Sequence, residues 1–145
     1  MVTQQSLHTL VEFEAFQALP ENSDRRLELV NGEIIEKLPT QLHGLIPSIL
    51  VLELGLYLGK NPIGRVYVEA RYRMPDDEHN ARIPDLSYVS DLSRKVVEIG
   101  SALYMPDLAI EVKSPDDTYD QMREKADYYL KNGSKLVWLI YSEKR

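Results

Sequence analysis

Glu111 and Lys113 stand two residues apart in the run Ala109-Ile110-Glu111-Val112-Lys113-Ser114-Pro115. A β-strand sends alternate side chains to opposite faces, so a strand here puts the carboxylate and the ammonium on one face and turns Ile110 and Val112 toward a core. A second carboxylate opens another apolar run at Ile83-Pro84-Asp85-Leu86. If the two strands are neighbours, Asp85 and Glu111 meet. Two carboxylates suit a hard divalent cation, Mg²⁺ with retained waters or Mn²⁺ in its place. Lys113 would then orient a water or stabilise charge on a phosphorane-like transition state, and the cation would polarise a phosphoryl oxygen and acidify a water. Acid, acid, lysine and metal amount to phosphodiester hydrolysis. Taken alone, Glu-x-Lys is also the signature of a same-face ion pair on a solvated strand, and it is the Pro-Asp one strand earlier that favours the chemical reading.

These residues need a scaffold, and the chain has the size and composition for one. Its 145 residues match one domain, and 43% hydrophobic with 28% charged residues is ordinary for a globular protein. There is no cysteine, which excludes disulfides, zinc–thiolate sites and a thiol nucleophile. That fits a cytoplasmic setting, as does an N-terminus, Met1-Val2-Thr3-Gln4-Gln5-Ser6, without the pattern of a signal peptide. The longest apolar stretch, around Leu45–Leu58, is broken by Pro47, Ser48, Glu53, Gly55 and Tyr57 and reads as too short and polar for a membrane span. The net charge of −6 counts against broad electrostatic binding to duplex phosphates. It counts less against an enzyme whose acids gather round a metal, because the cation inverts the local field.

Thr9-Leu10-Val11-Glu12 has the form of a capping box and predicts a helix over residues 10–18, stopped by Pro20. Arg25–Lys37 predicts a hairpin turning at Asn31-Gly32, two residues that accept positive φ. His43 to Gly59 is apolar nearly all round, which predicts a buried helix, either under a sheet or packed against another subunit. Arg65–Met74 alternates as a strand with Arg71 and Arg73 on one face, and Asp85–Val89 predicts another. Asp91–Ser101 is unpatterned. Asp107–Lys113 is the strand of the Glu-x-Lys triplet. Asp116 and Asp117 are placed to cap a helix over about 118–131, with Ala126, Tyr129 and Leu130 inward and Gly133 at its end. Lys135–Tyr141 is apolar on both faces, as a central strand is. The last three elements form a β–α–β unit with parallel strands.

In order and spacing these pieces resemble the PD-(D/E)XK nuclease superfamily, and within it the Uma-type putative restriction endonucleases. The matching segments are the Thr-x-x-Glu helix, Leu27-Glu28-Leu29-Val30-Asn31-Gly32-Glu33-Ile34, and His43 at the head of the long helix. Further matches are Arg82-Ile83-Pro84-Asp85-Leu86-Ser87-Tyr88-Val89, the Glu111–Lys113 strand, the helix carrying Lys125, and Lys135-Leu136-Val137-Trp138-Leu139-Ile140. The resemblance implies an α/β (α+β) restriction-endonuclease-like core, a mixed sheet flanked by helices with an N-terminal helix and hairpin. It implies one domain over residues 1–145, without further strands that relatives carry beyond Tyr141. It also implies metal ligation by Asp85 and Glu111, Lys113 as catalytic lysine, and Glu28 approaching from the hairpin. Glu28 reads equally well as a solvated hairpin carboxylate. His43 could bind phosphate or metal, or cap its helix. Arg71, Arg73, Arg82 and Lys125 are candidates for phosphate contacts.

The expected activity is therefore Mg²⁺-dependent cleavage of DNA by a homodimer or higher homo-oligomer. A different class remains open, a non-catalytic assembly module that kept the fold. The apolar helix, with Tyr67, Tyr72, Tyr104, Tyr128 and Tyr129 read as exposed, would suit an oligomer interface. A nucleotide-binding fold lacks its Gly-rich loop here, and a serine hydrolase lacks its Gly-x-Ser-x-Gly turn.

Overall fold

Local signals set the first half of the chain. In a computed structural model, which describes residues 6–142, Thr9 caps α1 (Leu10–Gln17) and Glu12 returns the bond, completing the capping box. Strands β1 (Leu27–Val30) and β2 (Glu33–Glu36) pair antiparallel about Asn31 and Gly32, whose φ values of 49° and 83° are those the turn requires. The residues read for a signal peptide, Met1–Gln5, and the tail Glu143–Arg145 lie outside the described residues.

The main sheet has the order β3-β4-β5-β6, formed by Arg65–Val68, Leu86–Val89, Leu108–Val112 and Leu136–Ile140. The first two pairings are antiparallel and the last is parallel, so the sheet is mixed. Helix α2 (Gln41–Lys60) packs on one face through Leu50, Val51 and Leu54, against Leu86, Leu108 and Ile110. Helix α3 (Tyr119–Lys131) covers the other face, where Tyr129 joins Ala109 and Val89. β5 is buried along its whole length, and its alternation sends Leu108 and Ile110 toward α2 but Ala109 and Glu111 toward α3.

Several expectations are corrected by tertiary packing. The third strand ends at Val68, because Glu69 takes φ 50° and breaks the alternation. Arg71 and Arg73 therefore lie beyond the strand and share no strand face. β6 is an edge strand rather than a central one, with Leu136 half exposed. The cap of α3 is Thr118, boxed with Gln121; Asp117 binds Ser114 instead. On α3 the buried residues are Met122 and Tyr129, while Leu130 is exposed. Tyr72 and Tyr129 belong to the core, with Tyr67, Tyr104 and Tyr128 packed against it. The largest departure is α2, which has no fully buried residue. By length and composition it is also apolar enough to cross a membrane, contrary to the reading of its sequence.

Candidate active site

Asp85 precedes β4 and Glu111 lies near the end of β5, and the register Leu86↔Ile110 brings them side by side. Both are buried, 2% and 1% exposed. Each carboxylate commits one oxygen to the scaffold. Asp85 Oδ2 accepts the Val112 N–H at 2.6 Å, and Glu111 Oε1 accepts the Tyr129 hydroxyl at 3.0 Å. The other two oxygens converge on one ammonium: Lys37 Nζ lies 3.3 Å from Asp85 Oδ1 and 3.6 Å from Glu111 Oε2. Lys37 Nζ also donates to the Ile83 carbonyl, which anchors it. Lys125, on α3, brings a second ammonium to 3.5 Å from Glu111 Oε2.

Glu28 reaches the same place from β1. It is 2% exposed and accepts the Ile83 N–H at 2.6 Å, so it is no solvated hairpin carboxylate. His43, in the first turn of α2, places Nε2 2.9 Å from the Val112 carbonyl oxygen and 3.4 Å from Asp85 Oδ2. The helix cap is Thr40, whose hydroxyl accepts the His43 N–H, so the imidazole is not used as a cap.

A cavity of about 180 Å³ opens beside these groups. Seven carboxylates and two ammonium groups line it, from Glu28, Glu36, Asp85, Glu111, Asp116, Asp117 and Glu124 against Lys37 and Lys125. A surplus of negative charge behind low-dielectric walls concentrates cations.

The two central carboxyls differ. Burial pushes Asp85 up, but the His43 contact, the Lys37 ammonium and the Val112 N–H outweigh it and hold the group well below the usual carboxylate range. Burial dominates at Glu111 and raises it, despite Lys37 and Lys125. Burial also opposes the charge on Lys37, yet Glu111, Glu28 and Asp85 keep it firmly protonated. His43 is raised, chiefly by its contact with Asp85.

The remaining candidates lie elsewhere. Lys113 Nζ donates to the Ser114 carbonyl at 3.3 Å and sits 5.4 Å from the Tyr119 ring, beside a neighbouring cavity lined by Thr40, Leu42, His43 and Ile46. The ion pairs of Glu111 are with Lys37 and Lys125. Arg82 is fully buried: it holds Glu124 bidentately at 2.7 and 2.8 Å and stacks on Tyr128, which leaves no guanidinium edge for phosphate. Arg71 turns inward to Gln17 and the Leu27 carbonyl, and Arg73 contacts the Met74 carbonyl.

Sequence reasoning missed Lys37 and Tyr129 as partners of the carboxylates. Tyr129 carried a usable signal, a polar-tipped residue on the inner side of α3 facing β5. Lys37 carried none, since nothing in Glu36-Lys37-Leu38-Pro39 distinguishes it from a solvated lysine at a strand end.

Comparison with known proteins bears on what this arrangement does. A family model described as Uma2, putative restriction endonuclease, matches residues 13–145. Among solved structures, a putative nuclease belonging to DUF820 from Anabaena variabilis superposes with a TM-score of 0.71 at 29% sequence identity, covering 92% of this chain and 73% of that one. No curated protein matches the chain.

Proposed function

Because the chain belongs to the Uma2 family of putative restriction endonucleases, we propose that it hydrolyses DNA phosphodiester bonds with the aid of Mg²⁺, or Mn²⁺, held by Asp85 and Glu111. One observation carries this reading: a carboxylate oxygen of Asp85, just before β4, and one of Glu111, on the adjacent β5, face the same ammonium. A position already shared by one cation suits another. Among the described residues, no group of three or more His, Cys, Asp or Glu side chains is arranged for a metal. The proposed share of the protein is two carboxylates, as is usual for Mg²⁺, which keeps waters and takes phosphate oxygens. Bound there, the cation would polarise a phosphoryl oxygen and lower the pKa of a water.

The chain's own groups prepare that position. The Val112 N–H, His43 and Lys37 hold Asp85 ionised. Tyr129 fixes the Glu111 rotamer and leaves Oε2 facing the cavity. A phosphate cannot approach seven carboxylates and two ammonium groups without added positive charge, so cation binding precedes substrate. Lys37 and Lys125 are close enough to the carboxylates to donate N–H bonds to a phosphate oxygen held there. In this reading they take the role expected of Lys113, which lines the neighbouring cavity.

Nicking of supercoiled plasmid in Mg²⁺ or Mn²⁺ tests the proposal. Wild type should cleave, and Asp85→Asn, Glu111→Gln and Lys37→Met should each lose at least about 100-fold. Equal cleavage by all would reject the site. If Lys113→Ala is inactive and Lys37→Met is not, the role returns to Lys113. A stable, folded chain with neither cleavage nor Mg²⁺ or Mn²⁺ binding by calorimetry would favour the assembly module.

A further inference from the structure

The outer face of α2 carries Leu42, Leu45, Ile49, Leu52 and Leu56, each between 52% and 61% exposed. The intervals are three, four, three and four residues. That is the a/d repeat of a two-stranded coiled-coil seam, and it spans roughly 21 Å of helix. The sheet-facing residues Leu50, Val51 and Leu54 occupy the other side, so the repeat is not the edge of the core. Neither Glu53 nor Lys60 falls on it.

The glycines of α2 are a second, independent observation. Gly44, Gly55 and Gly59 lie within the helix, where each costs about 1 kcal/mol relative to alanine. A Cβ added at any of them would meet nothing within 4 Å. Packing among the described residues therefore does not explain them; Gly59 continues the repeat at its next position and Gly55 flanks it, where a second backbone can approach closely.

We infer that this face is the interface between two copies of the chain, which pair through their α2 helices. The repeat calls for a helix as its partner, and a second α2 offers the same seam. The five side chains leave on the order of 500 Å² per copy, most of the ~800 Å² per partner of a standard interface, and at the upper end of the apolar patches that monomers expose. A bilayer fits the stripe less well, since α2 is tied to the sheet through its opposite side and His43 bonds to β5.

Light scattering coupled to gel filtration tests the pairing at micromolar concentration. Wild type should run at twice the chain mass. Ile49→Glu with Leu52→Glu should weaken association at least about 100-fold with an unchanged far-ultraviolet spectrum. Gly55→Leu, which favours the helix but fills the gap, should do the same without loss of stability. Since the chain has no cysteine, Ile49→Cys should form an interchain disulfide on mild oxidation. A wild type that stays monomeric overturns the inference, as does a dimer that survives both sets of substitutions. So does a monomer that binds phosphatidylglycerol vesicles through α2, which would assign the stripe to a membrane surface.

Discussion

Two clusters of charge lie next to each other on α3 and are built on opposite plans. Arg82 meets one carboxylate, Glu124, in two bonds of 2.7 and 2.8 Å, adds Asn80 Oδ1 at 2.8 and 3.0 Å, and stacks 3.7 Å from the Tyr128 ring. Its guanidinium is fully used. One residue further on, Lys125 joins Lys37, Asp85, Glu111 and Glu28, where the ion pairs are 3.3 to 3.6 Å long and a cavity adjoins them. In the first cluster the guanidinium is matched one to one with Glu124, a carboxylate that is 40% exposed and also lines the cavity. The second leaves negative charge in surplus and carboxylate oxygens facing open volume. Each contains a buried charge, so burial alone marks neither as a site; incomplete pairing is what separates them.

The largest expected effect is on chemistry. Asp85→Asn should reduce plasmid cleavage by about 1,000-fold or more and lower the urea midpoint without unfolding the chain, because the amide oxygen can still accept the Val112 N–H while Lys37 and His43 lose their anionic partner. A variant that is equally inactive but largely unfolded would place Asp85 with the structural cluster. Arg82→Met is the mirror case. It should cost about 3 kcal/mol in urea denaturation, since Glu124 loses its bidentate partner and Asn80 its donor. A cost near zero would remove the contrast between the clusters.

Glu111→Gln should separate function from stability. Its folded-state pKa is raised, so Glu111 stabilises most below its unfolded-state pKa, and that contribution is lost as pH rises through the folded value. Its surroundings oppose ionisation, chiefly through burial. The glutamine variant should therefore be as stable as wild type, or more so by about 1 kcal/mol, yet inactive. A clear destabilisation at neutral pH would contradict this. The smallest effect concerns His43, which is also raised. Its stabilising contribution is complete below the ordinary histidine value and fades as pH rises through the raised one. His43→Gln should flatten that segment of the stability profile. Asp85 has the reverse sign, its contribution being lost only in strong acid.

The sequence was most informative where structure is local. The Thr9–Glu12 box, the Asn31-Gly32 turn and the β5-α3-β6 unit depend on near neighbours, and they stand as read. Whatever depends on distant partners was hidden. The place of Lys37 comes from pairing with residues 85 and 111. Burial of Arg82 depends on Glu124, and the edge position of β6 follows from strand order. The face of α2 misled for a related reason. Its apolar composition predicts burial, but composition does not say which face packs on the sheet and which stays exposed. The neighbourhood of Asp85 and Glu111 could be anticipated from two apolar runs, whereas the identity of the ammonium beside them could not.

The account rests on a cation taking the place between those carboxylates. Crystals soaked in Mn²⁺ and measured for anomalous scattering test it directly. The account predicts a peak contacting both Asp85 Oδ1 and Glu111 Oε2. Well-ordered carboxylates with no peak between them, or a peak held only by other residues, would contradict it.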